Sequence, residues 1–203
     1  MVKGSVEDEL EAFFENLSDT DAESLFVTKS AFTQARKKLS YTAFVELNQI
    51  LNTILSEQAL RWRGFRLCAV DGSIVNLPEY PELRTHFDPK NKNRPQARAS
   101  QLYDVLNHVT IDAELTPVSL DERTLAVRHL QKTNQGDLVI YDRGYPAFYL
   151  FAAHRQSGRD FCARVAWNLY NETRDFCLSD KPEEIVTLSP SPKAKKACLA
   201  MKL

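Results

Sequence analysis

Two places in the sequence share one pattern: an apolar, strand-length run, then an aspartate, then a glycine within two residues. They are Arg66-Leu67-Cys68-Ala69-Val70 followed by Asp71-Gly72, and Leu138-Val139-Ile140-Tyr141 followed by Asp142-Arg143-Gly144. Runs this apolar suit strands covered on both faces in the middle of a sheet. A carboxylate at the end of such a strand leaves the core and reaches the crevice where open α/β sheets place their ligands. Two such carboxylates on neighbouring strands repel unless a cation lies between them. Magnesium takes a few carboxylate oxygens together with water and phosphate oxygens, so the pair is a credible metal seat. Two metals there would activate the attacking oxygen and stabilise the leaving one in phosphodiester cleavage. A strand-end aspartate also caps the turn that follows it, and spacing does not separate the two roles. Asp104 and Asp112 are further acids nearby, so spacing leaves open which carboxylates pair.

Other chemistries find less support. His86, His108, His129 and His154 are scattered and read as surface or satisfied histidines. Ser73 follows Asp71 closely, but no Gly-x-Ser-x-Gly elbow surrounds it. Six glycines in the chain form no phosphate-cradling loop. Cys68, Cys162, Cys177 and Cys198 lie far apart without a C-x-x-C pair, and read as reduced thiols of a cytoplasmic protein rather than a zinc site.

Charge is unevenly placed although the formal net charge is only -1. Residues 1–25 carry Lys3 against eight carboxylates. Between Arg84 and Arg98 the balance reverses, with Arg84, Lys90, Lys92, Arg94 and Arg98 facing only Asp88. Pro89, Pro95 and several asparagines make this stretch read as a loop. A basic loop suits the phosphate backbone of DNA, because each cation placed on a phosphate releases condensed counterions. Arg36, Lys37 and Lys38 cluster at the end of a short predicted helix, where they complement the helix dipole or face DNA as part of a helix-turn-helix.

The elements that must position these residues fall into two styles. Up to about residue 60 the text is helical. Val6, Leu10, Phe13, Phe14 and Leu17 share one face behind Ser5 as N-cap. Thr28 caps Lys29 to Leu39, and Ser40 precedes a helix with Phe44, Leu47, Leu51, Ile54 and Leu55 in one stripe. Beyond it, strands are predicted at Arg66–Val70, Gln101–Val105, Val109–Ile111, Val118–Leu120, Leu138–Tyr141 and Asp160–Val165. Helices are predicted at Arg123–Lys132 and Ala147–Gln156. From Asn168 onward the text is polar and punctuated. The architecture is a helical N-terminal region followed by an α/β domain on a mixed sheet. At 203 residues with 43% hydrophobic composition a packed core is affordable, and no apolar run is long enough to span a bilayer.

Four phrases now combine: Ala69-Val-Asp-Gly-Ser-Ile, Arg94-Pro-Gln-Ala-Arg-Ala-Ser, Leu102-Tyr-Asp-Val-Leu-Asn, and Val139-Ile-Tyr-Asp-Arg-Gly-Tyr. In this order and spacing the chain resembles the DDE transposases of bacterial insertion sequences, in the branch named after insertion sequence four. Ser30-Ala-Phe-Thr-Gln-Ala-Arg-Lys-Lys-Leu also resembles that branch's N-terminal region, so the resemblance runs from about Val27 to about Lys196.

The resemblance implies a ribonuclease-H-like mixed sheet with flanking helices, behind an all-helical N-terminal region. The implied domains are a helical DNA-binding region at 1–60, the catalytic core at 61–167, and the start of a β-rich insertion at 168–203. It implies cleavage and strand transfer at the ends of an insertion sequence, with Asp71 and Asp142 as catalytic residues and ligands of Mg or Mn. The implied partner is double-stranded DNA at transposon ends, contacted by Arg36, Lys37, Lys38, Lys90, Lys92, Arg94 and Arg98. Arg143 and Tyr145, which complete the Asp-Arg-Gly-Tyr phrase, are expected at the same crevice as further DNA-binding residues. A second copy or a full-length transposase is the candidate protein partner, without a membrane, in the bacterial cytoplasm near the nucleoid. The family's third acid is a glutamate within Tyr-x2-Arg-x3-Glu-x6-Lys, and none of the seven tyrosines here has Arg three places on. The family's chains are also much longer, so the core within these residues is expected to be truncated and inactive by itself. The alternative is a non-catalytic DNA-binding remnant.

Overall fold

The computed structural model describes residues 5–17, 27–56, 58–88 and 94–203. Its elements are α1 (Val6–Leu17), α2 (Lys29–Lys38), α3 (Thr42–Ser56), β1 (Arg66–Asn76), α4 (Pro81–Phe87), β2 (Gln96–Asp104), β3 (Val109–Pro117), α5 (Glu122–Leu130), β4 (Asp137–Tyr141), α6 (Phe148–Ser157), β5 (Asp160–Ala163), α7 (Asn171–Cys177) and α8 (Pro192–Ala200). They divide into two compact units, Met1–Ile50 and Leu51–Leu203.

In the first unit the caps are those the residue types predict. The Ser5 hydroxyl accepts from the Asp8 amide at 3.2 Å, while the Asp8 carboxylate accepts from the Ser5 amide at 3.0 Å, which satisfies two end donors reciprocally. Thr28 accepts from the Ala31 amide. No residue of α2 is buried. On this unit's part of α3, Phe44 and Leu47 are 62% and 53% exposed.

The second unit is a five-stranded sheet in the order β3-β2-β1-β4-β5. β1, β2 and β3 form an antiparallel meander, while β4 runs parallel to β1 and β5 parallel to β4. β3 therefore points the same way as β4. The two crossovers, β3–α5–β4 and β4–α6–β5, step across the sheet in the same direction. Right-handed crossovers then put both helices on one face, and α5 and α6 touch there. Beneath them lies the core: Cys68 and Val70 of β1, Leu102 of β2, Val139 and Tyr141 of β4, Ala126 and Leu130 of α5, Leu150 and Ala153 of α6, and Tyr145. This is a mixed sheet with flanking helices behind a helical N-terminal region, as expected from the sequence.

Several boundaries move. β1 does not stop at Asp71-Gly72 but continues to Asn76, because its other edge stays paired with β2 through Asn76↔Gln96. Val118–Leu120 is a turn rather than a strand. Residues 168–203 carry α7 and α8 and no strand, and α8 packs on α6.

Candidate active site

The parallel pairing of β1 and β4 runs from Arg66↔Asp137 to Ala69↔Ile140. Two residues further on stand Asp71, within β1, and Asp142, one residue past the end of β4, so extending the register brings the two aspartates level. Alternation along a strand puts them on the face opposite Val70 and Tyr141, which are buried under the helices. Asp71 lies two residues past the parallel pairing but within its strand. Both carboxylates are exposed.

Each is fixed through one oxygen. Asp71 Oδ1 accepts from the Gly72 amide at 2.8 Å, and Asp142 Oδ1 accepts from the Gly144 amide at 2.8 Å. Among the described residues no hydrogen bond occupies either Oδ2. The turn role therefore engages only one oxygen of each carboxylate among the described residues. Gly144 permits this, since a Cβ there would lie 3.1 Å from Asp142 Oδ1. Gly72 permits a different approach, because a Cβ there would lie 3.1 Å from the Ala99 carbonyl oxygen and 3.6 Å from the Tyr145 hydroxyl.

Tyr145, expected to contact DNA, is instead a core residue beneath this site at 2% exposure, its hydroxyl buried and without a hydrogen-bond partner among the described residues. Burial raises its pKa first, and the charges of Glu122, Asp71 and Asp142 raise it further, so the phenol stays protonated. A shallow concavity of about 550 Å³ opens on the Asp71 face of the sheet, lined by Ala69, Asp71, Ser73, Ala99, Gln101 and Tyr103 among others. Two exposed carboxylates side by side, with all-oxygen donors, fit a hard divalent ion such as Mg²⁺ or Mn²⁺.

The other predicted site residues are placed differently. Arg143 is exposed beside Asp142. Arg98 is not displayed to solvent. It lies within β2, where its guanidinium pairs with Glu122 and reaches the Val118 carbonyl at 3.5 Å. Arg94 is exposed, while Lys90 and Lys92 fall outside the described residues. Arg36, Lys37 and Lys38 form the exposed last turn of α2, in the first unit. Lys37 shares a surface concavity with Lys29 and with Glu7 of the acidic first helix.

The two spare carboxylates are accounted for. Asp104 caps the β2–β3 turn through Asn107, and Asp112 pairs with His129. His154 is satisfied: its Nδ1 donates to the Arg159 carbonyl at 3.1 Å and its Nε2 accepts from the Tyr141 hydroxyl at 2.9 Å. Two residues at the site lacked any signal beyond their position at a helix start. Glu122 neighbours Gly72 and Tyr145, and Arg123 Nε donates to the Gly144 carbonyl at 2.9 Å, bracing the turn that holds Asp142.

Residues 62–196 match the family described as the transposase DDE domain. InsZ, a transposase-like protein of Escherichia coli (strain K12), is 28% identical over 154 residues, covering 70% of this chain and 51% of that protein. The transposase InsG of insertion sequence element IS4, from the same strain, is 24% identical over 181 residues, covering 84% of this chain and 40% of that protein. The chain thus spans about half the length, or less, of these curated relatives. Among solved structures, the Mos1 transposase paired-end complex with left transposon end aligns with 97% of this chain and 70% of its own, at a TM-score of 0.36 and 12% identity. The Mos1 mariner paired end complex with Mn aligns with 96% and 70%, at 0.34 and 13%. The family match covers all five strands and both aspartates, and the chain belongs to the DDE transposase family.

Proposed function

We propose that these residues form the catalytic-core part of an insertion-sequence transposase, in which Asp71 and Asp142 together hold a divalent metal ion. The observation that carries this reading is the parallel register of β1 and β4, which sets the two aspartates level and on one face of the sheet. DDE transposases use divalent metals for DNA strand cleavage and transfer. Bound between these carboxylates, Mg²⁺ or Mn²⁺ would supply Lewis-acid stabilisation of the reacting phosphate oxygens. The protein's own part is to orient the pair: backbone amides of Gly72 and Gly144 fix one oxygen of each, and Arg123 holds the Asp142 turn. Arg143 is placed to contact a phosphate beside the pair. DNA at transposon ends is the proposed partner, with Arg36, Lys37, Lys38, Lys90, Lys92 and Arg94 along its backbone. The bacterial cytoplasm at the nucleoid is the proposed location. No helix among the described residues is long and apolar enough to cross a membrane.

These 203 residues contain no Tyr-x2-Arg-x3-Glu-x6-Lys segment to supply a third acid. That observation favours a second reading for this chain acting alone: it binds DNA, by itself or with a full-length transposase, without cutting it. A nicking assay on DNA carrying the insertion-sequence ends separates the two. With Mg²⁺, cleavage that disappears in Asp142→Ala supports catalysis by this chain; retention of DNA without cleavage supports the second reading.

A further inference from the structure

A second group of ligand-type side chains lies away from the aspartate pair. Asp112 and Glu114, on β3, and His129, on α5, bring their oxygen and nitrogen atoms within 4.8 Å of one another. Ala113, between the two acids, is level with Gln101 on β2, and Gln101 is level with Asp71 on β1. The group is therefore two strands from Asp71, and it faces α5 on the other side of the sheet. We propose that Asp112, Glu114 and His129 form a second divalent-cation site, suited to a zinc-like ion, that ties the edge strand β3 to α5.

The imidazole is built as a ligand. His129 is fully buried, so its ring cannot turn away. Its Nδ1 lies 2.8 Å from Asp112 Oδ2, and its far nitrogen Nε2 lies 3.0 Å from the hydroxyl of Ser100, itself only 3% exposed. Metal-ligating histidines are oriented in this way by a partner on the other ring nitrogen. Without a cation, Nδ1 carries the proton and donates it to Asp112, and the Ser100 hydroxyl donates to Nε2. With one, the ring proton sits on Nε2, the Ser100 hydroxyl accepts it, and the Nδ1 lone pair faces the ion.

The carboxylates are available to the ion. The Asp112 side chain is 23% exposed, with its Oδ2 beside His129 Nδ1. Glu114 Oε2 pairs with Arg128 at 3.0 Å, but the Arg128 side chain is 51% exposed, and such a pair costs little to open. One imidazole with two carboxylates suits zinc or a similar first-row ion, whereas Mg²⁺ favours all-oxygen seats such as Asp71 with Asp142.

The test uses the full chain with Asp71→Asn and Asp142→Asn combined, which removes the other seat. Calorimetric titration with Zn²⁺ should show one ion bound per chain, and Zn²⁺ should raise the melting temperature. Adding Glu114→Gln should weaken binding about tenfold or more and abolish that rise; this surface change avoids disturbing the buried imidazole. Co²⁺ in place of Zn²⁺ should give a visible spectrum without thiolate charge transfer, which excludes the exposed Cys162 and Cys177 as ligands. Absence of binding in the double variant would overturn the proposal. Equal Zn²⁺ binding with and without Glu114→Gln, or a thiolate band with Co²⁺, would overturn it too. His129 and Asp112 would then be a structural hydrogen-bonded pair alone.

Discussion

Arg66 and Asp137 face each other across β1 and β4 and join through two hydrogen bonds, Nε to Oδ1 at 2.9 Å and Nη2 to Oδ2 at 2.7 Å. The same step along each strand, from 66 to 71 and from 137 to 142, leads to the two aspartates of the site. A slip of one residue on either strand would turn its aspartate to the other face. The buried pair therefore specifies the register on which the site depends. Asp137 also accepts from the Asn134 amide at 2.8 Å, which fixes the entry to β4.

Breaking this clamp should be costly. Arg66→Ala leaves the Asp137 carboxylate buried, its side chain 3% exposed, without its cation. A loss of about 3–5 kcal/mol is expected from such a change, read as a lower urea midpoint. The combined Arg66→Met, Asp137→Leu variant should recover most of that stability.

Gly72 should resist enlargement. A valine there meets the Ala99 carbonyl, the Tyr145 hydroxyl and the Glu122 side chain. Overpacking of this kind costs about 1–3 kcal/mol, and thermal unfolding of Gly72→Val should show it.

Stability should fall on mild acidification. Burial lowers the pKa of His154, which the fold holds neutral between Tyr141 and the Arg159 carbonyl. Below the ordinary histidine value near 6.5, the unfolded chain therefore binds a proton that the folded chain refuses. The contribution is full above that pH and is lost as pH drops toward the lowered folded value. Urea midpoints measured between pH 7.5 and 5.5 should decline, and His154→Gln should flatten the decline.

The basic residues should separate into two classes. Lys37→Ala with Lys38→Ala should weaken DNA binding and reduce the salt slope by roughly 0.9 per lost phosphate contact, and Arg94→Ala should act in the same way. Arg98→Ala should instead lower stability, because it strips Glu122 of its partner inside the fold. Filter binding across a salt series, beside a melting curve for each variant, distinguishes these outcomes.

The apolar runs of β1 and β4 were legible because both faces of a central strand want the same residues. Polar residues with buried jobs were not. Asp112 and Glu114 interrupt the apolar text of β3, so its reading stops at Ile111, yet both face α5 and the strand continues to Pro117. Arg98 reads as a loop cation beside Pro95, but it is a β2 residue whose charge is spent on Glu122. The helix α8 carried a signal that polar composition obscured: Ser191 caps the Ala194 amide, and proline follows at the first helical position. The position of the two aspartates after their apolar runs was legible, whereas the Arg66–Asp137 clamp was not, since its partners lie 71 residues apart in the sequence.

The most direct measurement is anomalous diffraction from a crystal of this chain soaked in Mn²⁺. A peak within ligand distance of both the Asp71 and Asp142 carboxylates, lost in Asp142→Asn, is the predicted result. A chain that crystallises with the two carboxylates on opposite faces of the sheet, or one whose manganese peak lies elsewhere and survives the substitution, would contradict it.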